Sequence, residues 1–148
     1  MKIEKISDIY EVLKGYTRKK RLVVAFANDS HSIEAVYMAV KAGLVEGILV
    51  GDTETIQGVC KENGYDESCF KIVHEPNDVR GAETAVEMIR NGEADVIMKG
   101  LVSTDKYMRA ILNKERGLVA PNAILSHVVV MECSSYHKLL TVSDVAVI

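Results

Sequence analysis

Short apolar runs alternate with segments of helical spacing along most of the chain. Leu22-Val23-Val24-Ala25-Phe26-Ala27 is unbroken and apolar, the pattern of a parallel strand covered on both faces. Ile33, Val36, Tyr37, Val40 and Leu44 then lay one apolar stripe on a helix. Gly47 to Gly51 predicts a second strand. Ile56, Val59 and Cys60 predict a shorter helix, stopped by Asn63-Gly64. Phe70 to Val73 is a third strand ended by Pro76, and Val79, Ala82, Val86 and Ile89 describe a helix closed by Asn91-Gly92. Val96 to Met98 gives a fourth strand, Tyr107 to Leu112 a helix after it, and Ile6 to Leu13 a helix before everything. This alternation predicts an α/β fold: a doubly wound, mostly parallel sheet flanked by helices.

The last third breaks the rhythm. Leu125 to Met131, Lys138 to Val142 and Val145 to Ile148 are all strand-like, with short polar links and no helix between them. Two of them are expected to pair antiparallel near the C-terminus, which would make the sheet mixed. Without long linkers or repeats, residues 1–148 read as a single α/β domain. Its apolar last residues predict one domain cut from a longer protein.

At 148 residues, 48% hydrophobic and 26% charged, the chain can bury a real core, which argues against disorder. The apolar runs are too short for a membrane helix, and Met1-Lys2-Ile3-Glu4-Lys5 does not open a secretory signal. A net charge of −3 argues against sequence-independent binding to nucleic acid, and 5% aromatics against base stacking. The basic stretch Arg18-Lys19-Lys20-Arg21 reads as a solvated turn. Cys60, Cys69 and Cys133 fit neither a disulfide framework nor a zinc pattern, and they suggest reduced thiols in a cytoplasmic protein.

In an open α/β sheet, ligands sit beyond the carboxyl ends of the strands. That rule selects Asn28-Asp29-Ser30, Gly51-Asp52 and, above all, Lys99-Gly100 with Ser103 and Thr104. Free N–H groups at a helix start favour an anion, and Gly100 would let a phosphate approach the backbone. Arg109 would add a bidentate clamp if its side chain turns toward the cleft. The plainer alternative is that Ser103 caps a helix, Gly100 serves a turn and Lys99 is surface. Ser126 and His127 are adjacent near a strand start, so they face opposite sides and cannot act on each other. Asp144 follows Ser143 in a tight link, where Asp organises turns. His31, at the first helix start, reads as solvent-facing, and His74 and His137 have no partners at metal-ligand spacing, so no metal site is expected. Fingerprints for dinucleotides, nucleoside triphosphates and α/β-hydrolases are missing.

At these segments the chain resembles the phosphate acetyl/butyryltransferase family, closer to the butyryltransferases. The matching pieces are Val24 to Ser30, Leu44 to Asp52, Gly92 to Gly100 with Thr104 and Arg109, Leu125-Ser126-His127-Val128, and Ser143-Asp144. The resemblance implies an isocitrate/isopropylmalate dehydrogenase-like lobe. It also implies a reversible reaction of acyl-CoA with phosphate to give acyl phosphate and CoA, with no metal or other cofactor. Lys99, Ser126 and His127 would then be catalytic. Gly100, Ser103, Thr104, Arg109, Asp29, Ser30 and Asp144 would bind phosphate or substrate. Members of that family have two lobes with the site between them. The chain would therefore be the N-terminal lobe, acting with a second lobe or as a homo-oligomer on small-molecule substrates, with no nucleic-acid or membrane partner. The competing reading is a non-catalytic phosphate- or CoA-binding or regulatory module derived from that family. A phosphoacceptor signalling domain shares the architecture, but Glu75 stands where such a domain needs an aspartate.

Overall fold

The computed structural model describes residues 2–144, which fall into two compact units. Residues 19–119 form one, and residues 2–18 with 120–144 form the other.

The larger unit runs β1 (Lys20–Ala25), α2 (Ser30–Lys41), β2 (Val45–Gly51), α3 (Thr53–Asn63), β3 (Phe70–His74), α4 (Asp78–Arg90), β4 (Val96–Lys99) and α5 (Thr104–Leu112), with α1 (Ile6–Lys14) belonging to the smaller unit. Each helix starts where a side chain can take up an orphan N–H. Asp29, Asp52, Asn77 and Ser103 cap α2, α3, α4 and α5 by accepting from Ser32, Thr55, Arg80 and Lys106. Gly64 ends α3 in the left-handed conformation that the Asn63-Gly64 pair announced.

All four strands pair in parallel, in the order β3-β2-β1-β4. Val24, Ile33, Val36, Leu49, Ile56 and Phe70 pack into one apolar cluster under α2 and α3. Strand alternation sends Val23 and Ala25 to the opposite face, where α4 crosses β1 on the small buried residues Ala82 and Ala85. The chain steps from β1 outward to β3 and then returns across β1 to β4. Right-handed crossovers therefore put α4 on the face opposite α2 and α3.

In the smaller unit, α1 (Ile6–Lys14) begins where Asp8 Oδ2 accepts the N–H groups of Glu4 and Lys5, while the Ile6 N–H reaches Glu132 Oε2 at 2.8 Å. Strands β5 (Val128–Met131) and β6 (Leu140–Ser143) pair antiparallel as a separate two-stranded sheet. The antiparallel pair was expected, but its place was not. It does not join the four parallel strands, so the expected mixed sheet is corrected to an all-parallel sheet and a ribbon. The strand expected at 145–148 lies outside the described residues.

The basic stretch at 18–21 is more than a solvated turn. Lys20 and Arg21 belong to β1, and Arg21 grips Asp95 with Nε–Oδ2 at 3.0 Å, Nη2–Oδ1 at 3.1 Å and its own N–H to Oδ2 at 2.9 Å. The guanidinium first, and then this backbone N–H, hold the Asp95 carboxyl well below the usual carboxylate range. A depressed folded value stabilises the fold above the unfolded value of about 3.9, and that contribution disappears as pH falls. Asp95→Asn is expected to be less stable than the parent at pH 7. In urea titrations the gap between the two should narrow progressively below about pH 4. A gap that stays constant down to pH 2 would contradict this.

Among the described residues no helix is long and apolar enough to cross a membrane, and no group of three His, Cys, Asp or Glu is gathered as for a metal ion. The three cysteines are unpaired.

Candidate functional site

The strand order creates a switch point between β1 and β4, where connections leave in opposite directions and open a crevice at the carboxyl edge. Lys99 lies beside Ala25 in register, the Gly100 N–H donates to the Ala25 carbonyl at 3.0 Å, and the Leu101 N–H donates to the Phe26 carbonyl at 2.8 Å. The two strand ends are thus zipped past the last ladder pair. Only glycine fits at position 100, because an added Cβ would stand 2.4 Å from the Phe26 oxygen and 2.8 Å from the Ala25 oxygen.

On one wall of the crevice, Asp29 caps α2 through Oδ1, which accepts the Ser32 N–H at 2.8 Å, and Ser30 opens the helix. The other Asp29 oxygen, Oδ2, is buried without a hydrogen-bond partner. The other wall is the start of α5, where Ser103 Oγ accepts the Lys106 N–H at 3.3 Å and Thr104 is the first helical residue. Lys106 leans away to Asp78 at 2.6 Å, tying the start of α5 to that of α4, and this ammonium lowers the Asp78 carboxyl. Lys99 is exposed and makes no ion pair among the described residues. An uncommitted cation beside a glycine turn and a helix start suits an anion.

Lys99, Gly100, Ser103 and Thr104 therefore follow one another at the end of β4, with Asp29 and Ser30 beyond the adjacent end of β1. Arg109 goes elsewhere. Its Nε pairs with Asp105 at 3.1 Å on an exposed face of α5. The side chain lines a groove of about 780 Å³ along α4, α5 and the turn at 113–116. None of Lys99, Gly100, Ser103 or Thr104 lines that groove, so the clamp toward the cleft does not form in this rotamer.

The remaining candidates belong to the smaller unit. The Asp144 N–H donates to the His127 carbonyl at 2.8 Å, and Ser143 pairs with Val128, so the two late segments meet at one end of the ribbon. Ser126 is exposed, whereas His127 is half-buried with Nδ1 buried and unpartnered. The two thus differ in exposure, as expected of neighbours facing opposite ways. Asp144 takes a left-handed conformation with φ 58°, one that Asp tolerates in turns.

Two features were missed by the sequence reading, a backbone conformation and a bond between two residues it had named only as ligand positions. Phe26 is left-handed at φ 64°, unusual for a bulky residue. Asn28 Oδ1 accepts the Asp52 N–H at 2.9 Å, linking the ends of β1 and β2. An Asn directly after a buried strand was the one visible signal for the second, and nothing in the sequence marks the first.

The phosphate butyryltransferase of Clostridium acetobutylicum is 41% identical over 144 residues, 97% of this chain and 47% of the relative. Over nearly its whole length this chain is similar to part of a phosphate butyryltransferase. The phosphate acetyltransferase of Thermotoga maritima is 33% identical over 139 residues, covering 94% of this chain and 46% of its own length. The chain spans under half the length of these acyltransferase relatives. No protein-family model matches it. Among solved structures, a branched-chain phosphotransacylase from Enterococcus faecalis has a TM-score of 0.64 at 22% identity, over 86% of this chain and 42% of that one. A phosphotransacetylase from Streptococcus pyogenes has 0.68 at 18%, over 93% and 50%. These two structures share the fold of the chain described here.

Proposed function

We propose that the chain is one lobe of a phosphate acyltransferase that exchanges an acyl group, butyryl or acetyl, between coenzyme A and phosphate. The similarity to a phosphate butyryltransferase along 97% of the chain carries this reading. The crevice at the end of β1 and β4 agrees with it chemically. In the reaction a phosphate oxygen attacks the thioester carbonyl, a C–O bond forms, the tetrahedral oxyanion collapses, and the C–S bond breaks to release the CoA thiolate. Both substrates are anionic, so the work lies in holding phosphate in line and stabilising negative charge as it develops. Lys99 is assigned to the phosphate or oxyanion and Ser103 and Thr104 to the phosphate oxygens, while Gly100, whose open side is filled by the Phe26 and Ala25 carbonyls, serves the site by bringing the two strand ends together and not by admitting phosphate to its backbone. Asp29 and Ser30 form the facing wall. Ser126, His127 and Asp144 are assigned from the family resemblance alone, and Arg109 joins if it leaves Asp105. The reaction so written draws on no metal or organic cofactor and fits the cytoplasm, and a second lobe or another copy of the chain would supply the remaining CoA contacts.

The deciding experiment is phosphate-dependent thiol release from butyryl-CoA and acetyl-CoA by folded protein of verified mass. Release that stops when phosphate is omitted is the expected result, and the faster thioester identifies the acyl group. The short span relative to the relatives favours a second reading, a module that binds phosphate or CoA without turnover. Calorimetric binding with no thiol released would establish that one instead.

A further inference from the structure

We propose that Asn28 is a positioning residue for the phosphate site, acting through its bond to Asp52 without touching substrate. This rests on the acyltransferase reading of the same crevice. Three consecutive residues leave β1 under restraint. Phe26 turns the chain in a left-handed conformation, the Ala27 N–H donates to the Val50 carbonyl at 2.7 Å, and Asn28 Oδ1 accepts the Asp52 N–H at 2.9 Å. The next residue, Asp29, caps α2. The point at which α2 begins is therefore set by what β1 can reach on β2.

The link is built from both sides. At Gly51 an added Cβ would lie 2.3 Å from Asn28 Oδ1 and 3.3 Å from the Ala27 nitrogen, so a side chain there would push the amide away. Asp52 is fixed in turn, because its Oδ2 takes the Thr55 N–H at 2.9 Å and the Thr55 hydroxyl at 2.6 Å. A rigid donor thus meets the Asn28 acceptor, and the wall holding Asp29 and Ser30 inherits that rigidity. Displacements of about 1 Å away from the reacting atoms can change rates on the order of 100-fold, which makes such a link consequential.

The test measures phosphate affinity by calorimetry and melting temperature for the whole chain and its variants. Asn28→Ala removes the acceptor, Gly51→Ala displaces it from the β2 side, and Asn28→Asp keeps Oδ1 in place. Asn28→Ser, polar but too short to reach, stands in if Asn28→Ala does not fold. Ile56→Val is the control, since Ile56 packs beside Gly51 and takes no part in the link. Asn28→Ala and Gly51→Ala should each weaken phosphate binding by about 10- to 100-fold. The double variant should be no worse than the weaker single, because both break one link. Asn28→Asp keeps the acceptor but adds a negative charge beside an anion site, so it should retain the parent's melting temperature while binding phosphate more weakly, and Ile56→Val should lower the melting temperature without moving phosphate affinity. Affinity losses that track melting temperature across the set, Ile56→Val included, would overturn the positioning role. So would parental affinity in Asn28→Ala when Lys99→Ala has lost it, and in that case the reading of the site survives. Absence of phosphate binding in the unaltered chain would overturn both.

Discussion

Gly100→Ala is expected to destabilise the larger unit by at least the ~1–3 kcal/mol typical of overpacking, because the new methyl meets backbone and not a side chain that can swing aside. The obstructing atoms are the carbonyl oxygens of Phe26 and Ala25, at 2.4 and 2.8 Å, and both already accept hydrogen bonds from Leu101 and Gly100. Relief requires the end of β4 to part from the end of β1, which would break those bonds and open the crevice together. Gly58→Ala provides the contrast. Gly58 lies inside α3, nothing stands within 4 Å of its missing Cβ, and alanine there should stabilise by about 0.5–1 kcal/mol. Urea titrations of the two variants should move in opposite directions. Equal stability of Gly100→Ala and the parent would mean the strand ends are not held as described.

Lys99→Ala should act on chemistry and not on stability. The side chain is exposed and unpaired among the described residues, so its loss should change folding free energy by less than about 0.5 kcal/mol. If Lys99 holds the developing negative charge, phosphate-dependent thiol release should fall by about 100- to 1,000-fold, the range for removing one oxyanion donor. Lys99→Arg keeps the charge but changes its shape from a point to a fork, and it should recover only part of the rate. Unchanged turnover in Lys99→Ala would remove this residue from the mechanism. Should the chain bind without turnover, the same substitution should weaken phosphate binding by about 10- to 100-fold, the worth of a charge-assisted hydrogen bond.

The alternation of apolar runs and helical stripes was enough to place β1 to β4 and α2 to α5, because parallel strands buried on both faces and amphipathic helices leave distinct periods. The glycine after Lys99 and the cap at Ser103 were legible for the same local reason, whereas Asp29 was read only as a strand-end candidate and not as the cap it is. What stayed hidden depends on partners far along the chain. Arg21 looked like part of a solvated run until Asp95 stood beside it, 74 residues away. The direction of Arg109 follows from the rotamer that its Asp105 pair selects, which no spacing rule fixes. Phe26 gives no sign of its left-handed backbone, since that conformation is written in sequence mainly through glycine, asparagine or aspartate. The C-terminal strands showed their own period, but period carries no address, and so their separation into a ribbon was not readable.

The order β3-β2-β1-β4 also dictates a sequence of assembly. The Asn28–Asp52 link closes a loop of 24 residues, whereas the Arg21–Asp95 link that brings β4 alongside β1 spans 74. The longer closure costs about 1 kcal/mol more in chain entropy, before any strand pairing repays it. The β1–α2–β2 half can therefore zip early, and β4 docks onto it as the contact of highest contact order in the sheet. The crevice proposed for phosphate is the seam left by that last docking: a chain still emerging from synthesis acquires it only after residue 112 has been made, however early the rest of its core has condensed.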